Sequence, residues 1–171
     1  MSALRVYPPL PSISELVAEK VKIMDQATDL KIAAGFEYEL DGVQYHVSYH
    51  ADDQANFSAA LNGANLSQTL GNMDAAARQA AFGNDLPVAL PDSWVMGWRL
   101  HPVDGSPAVT HVFDLKGFLK LAAASAKHLQ DCLTFGWGVK AQLAACQTKA
   151  ELEAKAAELD LDGMLRAARA L

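Results

Sequence analysis

Apolar residues recur along this chain at two different periods. Between residues 12 and 34 the period is helical. Ile13, Leu16, Ile23, Ala27, Leu30 and Ala34 fall on an alternating 3–4 repeat, interrupted by Lys20. "SISE" opens the segment as a capping box, with Ser12 as N-cap and Glu15 three residues later. Gly35 is placed to stop it. The seam fits an amphipathic helix packed within its own chain first, and a self-associating coiled coil of about three heptads as the alternative.

The period then changes to two. In "FEYELDGVQYHVSY", Phe36, Tyr38 and Leu40 alternate, Asp41-Gly42 follows, and Val43, Tyr45, Val47 and Tyr49 alternate again. Asp-Gly between alternating runs predicts a hairpin with a two-residue turn. Its register pairs Leu40 with Val43, Tyr38 with Tyr45 and Phe36 with Val47, and sets His46 opposite Glu37 as a cross-strand charge pair. His46 and His50 are then strand residues about 13 Å apart. They cannot share one zinc ion, whose bonds to nitrogen are about 2 Å long.

A short helix is expected over "HADDQANFSAALNGA", capped by Asp52 or Asp53 and ended by Gly63. Another is expected over "NMDAAARQAAFG", capped by Asn72 and closed by Gly83. After a proline-punctuated linker, Trp94, Met96, Trp98 and Leu100 alternate as a strand, and "AVTHVF" returns as its partner across a wide loop. From Asp114 the helical period resumes through Leu115, Phe118, Leu119, Ala122, Ala126, Leu129 and Leu133. Gly136 and Gly138, flanking Trp137, are expected to kink or break that helix. Thr148 and Glu151 form a second capping box, and "DGMLRAARAL" is a last short helix.

These elements predict an α+β fold: antiparallel β-hairpins packed on a long C-terminal helix, preceded by an N-terminal helix capable of forming a coiled coil. The expected organisation is an extended arm over 1–11, where Pro8, Pro9 and Pro11 deny helix, the N-terminal helix over 12–34, and a single α+β domain over 35–171. With 171 residues, 51% of them apolar, the chain is large enough to bury a core without a disulfide or metal. Fourteen basic residues against twenty acidic ones give a net charge of −6, which argues against a nucleic-acid partner. Arg166 and Arg169 fit a helix C-terminus. The opening residues contain no apolar segment of a signal peptide, and no run approaches the ~18 apolar residues of a membrane span. Cys132 and Cys146 are expected as free, buried thiols.

The residue chemistry points to no catalytic, cofactor-binding or metal-ligating set. His128 and Cys132 share a helix face, but two ligands are too few. "FGWGVK" lies within a helical pattern and lacks the strand that precedes a phosphate loop. Neither cysteine stands beside a basic residue at a helix start. The candidate protein-contact residues are Trp137, flanked by glycines, and the seam residues Ile13, Leu16, Ile23 and Leu30.

The order of motifs also resembles a family of uncharacterised bacteriophage and prophage domains, often found at the C-terminus of tail or tail-fibre proteins. Gly35, Phe36, Tyr38, Gly42 and Tyr45 carry its hairpin motif, and Asp53, Gln54 and Asn56 the next. Trp98, then Phe118, Leu121 and His128, and finally Thr148, Glu151 and Leu152 follow in the same order. The likeness covers about residues 17–158; residues 64–92 and the loop "HPVDGSP" depart from it. It implies a non-enzymatic tail-associated structural or tail-fibre accessory protein, with no cofactor. Its partners would be further copies of itself, up to a trimer, and a phage tail or tail-fibre protein. It would be found in the bacterial host cytoplasm during assembly and in the virion tail. The alternative is a small protein-binding or regulatory module of a mobile element, acting through a Trp-lined surface.

Overall fold

The computed structural model describes residues 10–170. Most of the expected arm, with Pro8 and Pro9, lies outside the described residues, and Leu10 and Pro11 have no regular structure. The elements run α1 (Ile13–Ala34), β1 (Phe36–Leu40), β2 (Val43–Val47), α2 (Ala51–Asn72), α3 (Ala75–Phe82), β3 (Val95–Pro102), β4 (Val109–Asp114), α4 (Leu115–Ala144), α5 (Lys149–Glu158) and α6 (Leu161–Arg169). The strands form one antiparallel sheet in the order β1-β2-β3-β4, so the α+β class is as expected. The chain divides into two compact units. One comprises the segment up to Lys31 and the segment from Cys132 onward; the other is Ile32–Asp131. In the first unit the C-terminal helices pack with α1.

In that unit α1 begins where Ser12 and Glu15 close their box: the Ser12 N–H donates to Glu15 Oε2 at 2.7 Å, and the Glu15 N–H to Ser12 Oγ at 3.3 Å. Met24, Ala27, Val139, Leu143, Leu152, Ala156 and Leu161 form the buried core. Ile13, Leu16 and Ile23 pack against it, so the 3–4 seam is the inner face of a helical cluster. α4 runs unbroken through Gly136 and Gly138. The expected break is absent because Gly136 is a site of close approach: a Cβ there would stand 2.6 Å from Thr28 Oγ1. α5 starts on the Thr148–Glu151 box, and Lys140 bridges to Asp25 at 2.7 Å.

The other unit holds the sheet. Gly35 ends α1 with φ +89°, and a Cβ there would strike the Val47 carbonyl oxygen. Asp41 and Gly42 adopt φ 53° and 79°, as a two-residue turn requires. Phe36 pairs with Val47, Glu37 with His46, Tyr38 with Tyr45 and Leu40 with Val43, the expected register throughout. Glu37 and His46 nevertheless form no ion pair among the described residues.

α2 corrects two expectations. It continues past Gly63 to Asn72, because Phe57, Ala60, Ala64, Ser67 and Leu70 form one buried stripe along its whole length. Gly71 is a packing position, where a Cβ would stand 2.5 Å from Pro91 Cγ, whereas Gly63 has room for a Cβ, 3.9 Å from Trp94 Nε1. Its cap is His50, whose N–H donates to Asp53 Oδ2 at 3.1 Å, so Asp53 is the third helical residue and not the cap. α3 is capped by Asp74, which accepts from the Ala77 N–H at 2.7 Å, in place of Asn72. Phe57, Trp94, Trp98 and Phe118 stack together under the sheet; the Phe57 and Trp98 ring centres are 3.9 Å apart.

Candidate functional site

The hairpin β1–β2 joins β3 over a short stretch. Tyr45 pairs with Pro102 and His46 with His101, and the Val103 N–H donates to the Gln44 carbonyl at 3.1 Å. Then β2 stops. Ser48 Oγ donates to the Asp53 carboxylate, which also accepts from the His50 N–H, and Gln54 Nε2 donates to the Tyr49 carbonyl at 3.0 Å. These bonds draw the chain off the sheet and into α2. β4 meanwhile pairs with the opposite edge of β3 along its whole length, from Leu100–Val109 to Val95–Asp114.

One side of β3 is therefore left open. Backbone groups in an antiparallel strand alternate between its two neighbours. Val103 is bonded toward β2, so Arg99 and Gly97 direct their N–H and C=O groups the same way. Neither has a hydrogen-bonding partner on that side among the described residues.

The open edge forms one wall of a cleft of about 670 Å³. The opposite wall is the first half of α2, with Asn56, Ala59, Ala60 and Gly63. These side chains are small, which leaves room between helix and strand. Trp94 and Trp98 supply aromatic surface, and Asp53, Arg99 and His101 the charge. Asp53 is already bonded to Ser48 and His50. Arg99 forms no ion pair among the described residues.

The chemistry of the histidines is settled by position. His46 lies in a row between Glu37 and His101 on three adjacent strands, while His50 caps α2. Among the described residues no three His, Cys, Asp or Glu side chains are placed to hold a metal ion. His128 Nε2 lies 3.2 Å from the Ile32 carbonyl, and its ring stands against Phe36 and Tyr49. His111 packs on Phe113. Burial, then the nearby Asp41 charge, pushes the Tyr38 hydroxyl above its ordinary range. The Ser106 N–H, followed by its hydroxyl, holds Asp104 low.

A family model matches residues 15–159. The chain belongs to the family described as Domain of unknown function (DUF4376). No curated protein and no solved structure matches it. The DUF4376 match begins in the first turn of α1 and ends just after α5, so it includes every residue of the cleft.

Of the contact residues expected in this DUF4376 chain, Trp137 is 54% exposed on α4, and neighbouring Phe135 is 45% exposed beneath the Lys31 ammonium. Ile13, Leu16 and Ile23 are engaged by the core of their own unit, and Leu30 is half-buried. The cleft itself was not foreseen. Its one local signal is Gly97, which leaves one position of β3 without a side chain. The decisive feature, β2 leaving β3 after two pairs, depends on contacts between segments some fifty residues apart. No helix among the described residues is long and apolar enough to cross a membrane.

Proposed function

We propose that this chain is a non-enzymatic protein-binding module, working as a structural or accessory component of a phage or prophage tail. The cleft between α2 and β3 carries the protein-binding part. Unpaired backbone groups beside tryptophan rings are surfaces that polypeptides recognise, whereas a small-molecule reaction needs converging side chains with free functional groups. Asp53, the carboxylate that lines the cleft, is committed to shaping the β2–α2 connection. The tail setting is supported by the motif resemblance from Gly35 to Leu152. Such a module would act in the bacterial host cytoplasm during assembly and stay in the virion tail.

Self-association is a second reading, favoured by the exposed Trp137 and Phe135 on α4. The seam residues Ile13, Leu16 and Ile23 would not form that interface, because they already pack on Leu143, Leu152 and their neighbours.

The test is co-expression of the full chain with phage tail and tail-fibre proteins, followed by co-purification and light scattering. A stoichiometric complex with one of them is expected. A chain that stays monomeric and retains none of them would overturn the proposal. A homo-oligomer lost on Trp137→Ser would support the second reading.

A further inference from the structure

Resting on the protein-binding reading, we infer that the partner enters the cleft as an extended segment and adds to the open edge of β3 as a further strand. The unpaired groups are the argument. Gly97 and Arg99 each offer one N–H and one C=O toward the cleft, and a strand edge is satisfied in full only by another strand. β2 would have supplied that strand, but Ser48 turns away where it would face Arg99. The cleft is bounded on its far side by Ala59, Ala60 and Gly63, so a second backbone fits between helix and sheet. Its volume of about 670 Å³ accommodates a short strand with its side chains.

The pleat fixes what the segment carries. Side chains at Met96, Trp98 and Leu100 point to the buried face of the sheet; those at Gly97, Arg99 and His101 point to the open face. Val47 already stands opposite Leu100, so in the added strand the residues opposite Trp98 and Met96 face the aromatic cluster and the small α2 wall, and are apolar. The residue opposite Arg99 faces solvent beside a guanidinium that has no ion pair among the described residues. On a chain of net charge −6, Arg99 brings a positive charge to this edge. Cross-strand neighbours of opposite charge are favoured, so this residue is acidic. The partner class is thus an extended peptide segment reading acidic–apolar–any–apolar, in either chain direction.

The test begins by panning a display library of random eight-residue peptides on the full chain. The selected peptides should share the acidic–apolar–any–apolar pattern in one chain direction. N-methylation of one selected peptide, position by position, should weaken binding at least tenfold at alternate residues, since only every second N–H meets β3. Binding should slow hydrogen exchange at the Gly97 and Arg99 amides. Arg99→Glu should exchange the acidic preference for a basic one. Gly63→Leu, at a position with room for a Cβ, should block the cleft while circular dichroism stays unchanged. Peptides that bind with no alternation in N-methyl sensitivity and no protection of those two amides would overturn strand addition, yet leave the protein-binding reading standing. The same holds if a tail protein binds but Gly63→Leu and the two amides are indifferent to it. If neither peptides nor tail proteins bind, both fail.

Discussion

Gly136 lies directly against Thr28: a Cβ at Gly136 would sit 2.6 Å from Thr28 Oγ1 and 3.3 Å from its Cγ2. The first distance is shorter than any ordinary contact, so α1 and α4 meet here only because residue 136 has no side chain. Thr28 is held in place by its hydroxyl, which donates to the Met24 carbonyl at 2.8 Å. Gly136→Ala should gain about 1 kcal/mol in helix propensity and lose more to overpacking, which typically costs about 1–3 kcal/mol. A net loss is expected in chemical denaturation. The sign should reverse in a Thr28→Ala background. There both close atoms are gone and the nearest remaining contact, the Cβ of residue 28, is an ordinary 3.5 Å. A Gly136→Ala substitution equally harmful in both backgrounds would show that the close approach is not the reason for the glycine.

Ser67 is fully buried on α2, and its Oγ has no hydrogen-bonding partner among the described residues. Burying an unpaired hydroxyl costs about 1–3 kcal/mol. Ser67→Ala keeps the volume nearly constant, removes that cost and improves helix propensity. It should raise the stability of the chain by about 1 kcal/mol. A lower denaturation midpoint for this variant would mean that the hydroxyl has a partner after all, such as an ordered water.

Local signals were legible in the sequence and long-range ones were not. The hairpin 36–47 was readable in full because Asp41-Gly42 dictates the turn and the turn dictates the register. The boxes at Ser12 and Thr148 fixed the starts of α1 and α5 for the same reason: each is closed by a residue three positions away. Glycine misled where its role was tertiary. Gly63 and Gly136 resemble a stop and a break, but they lie in helices that run on through them; Gly63 sits in a helix with a buried stripe along its length, and Gly136 admits the close approach of Thr28. The cleft depends on where β2 departs from β3, and no spacing within either strand encodes that.

The two cysteines should be told apart by a bulky anionic disulfide reagent. Neither is in a disulfide. Cys132 is 4% exposed within α4, whereas Cys146 is half-buried just beyond its end. The native chain should release one equivalent of chromophore quickly, from Cys146. The second should appear only as the chain opens, so its rate should follow denaturant concentration. A Cys146→Ser variant should lose the fast phase alone. Two fast equivalents in the native chain would place Cys132 nearer the surface than its packing indicates.

Glu15 should titrate below the ordinary glutamate range. The Ser12 N–H is the larger cause and the Ser12 hydroxyl the smaller, both donating to the carboxylate and favouring its charged form. A carboxyl whose folded value is depressed contributes stability that is present above its unfolded value, near 4.5. That contribution is lost as pH falls through the lower folded value. The start of α1 should therefore loosen on the acid side of that window and be indifferent to pH near neutrality. Side-chain NMR titration of Glu15 would read this directly, together with amide exchange at Ser12. Ser12→Ala removes the hydroxyl but keeps the N–H, so Glu15 should move only part of the way back toward its ordinary value. A full return would assign the whole effect to the hydroxyl, and no movement would assign it to the backbone alone.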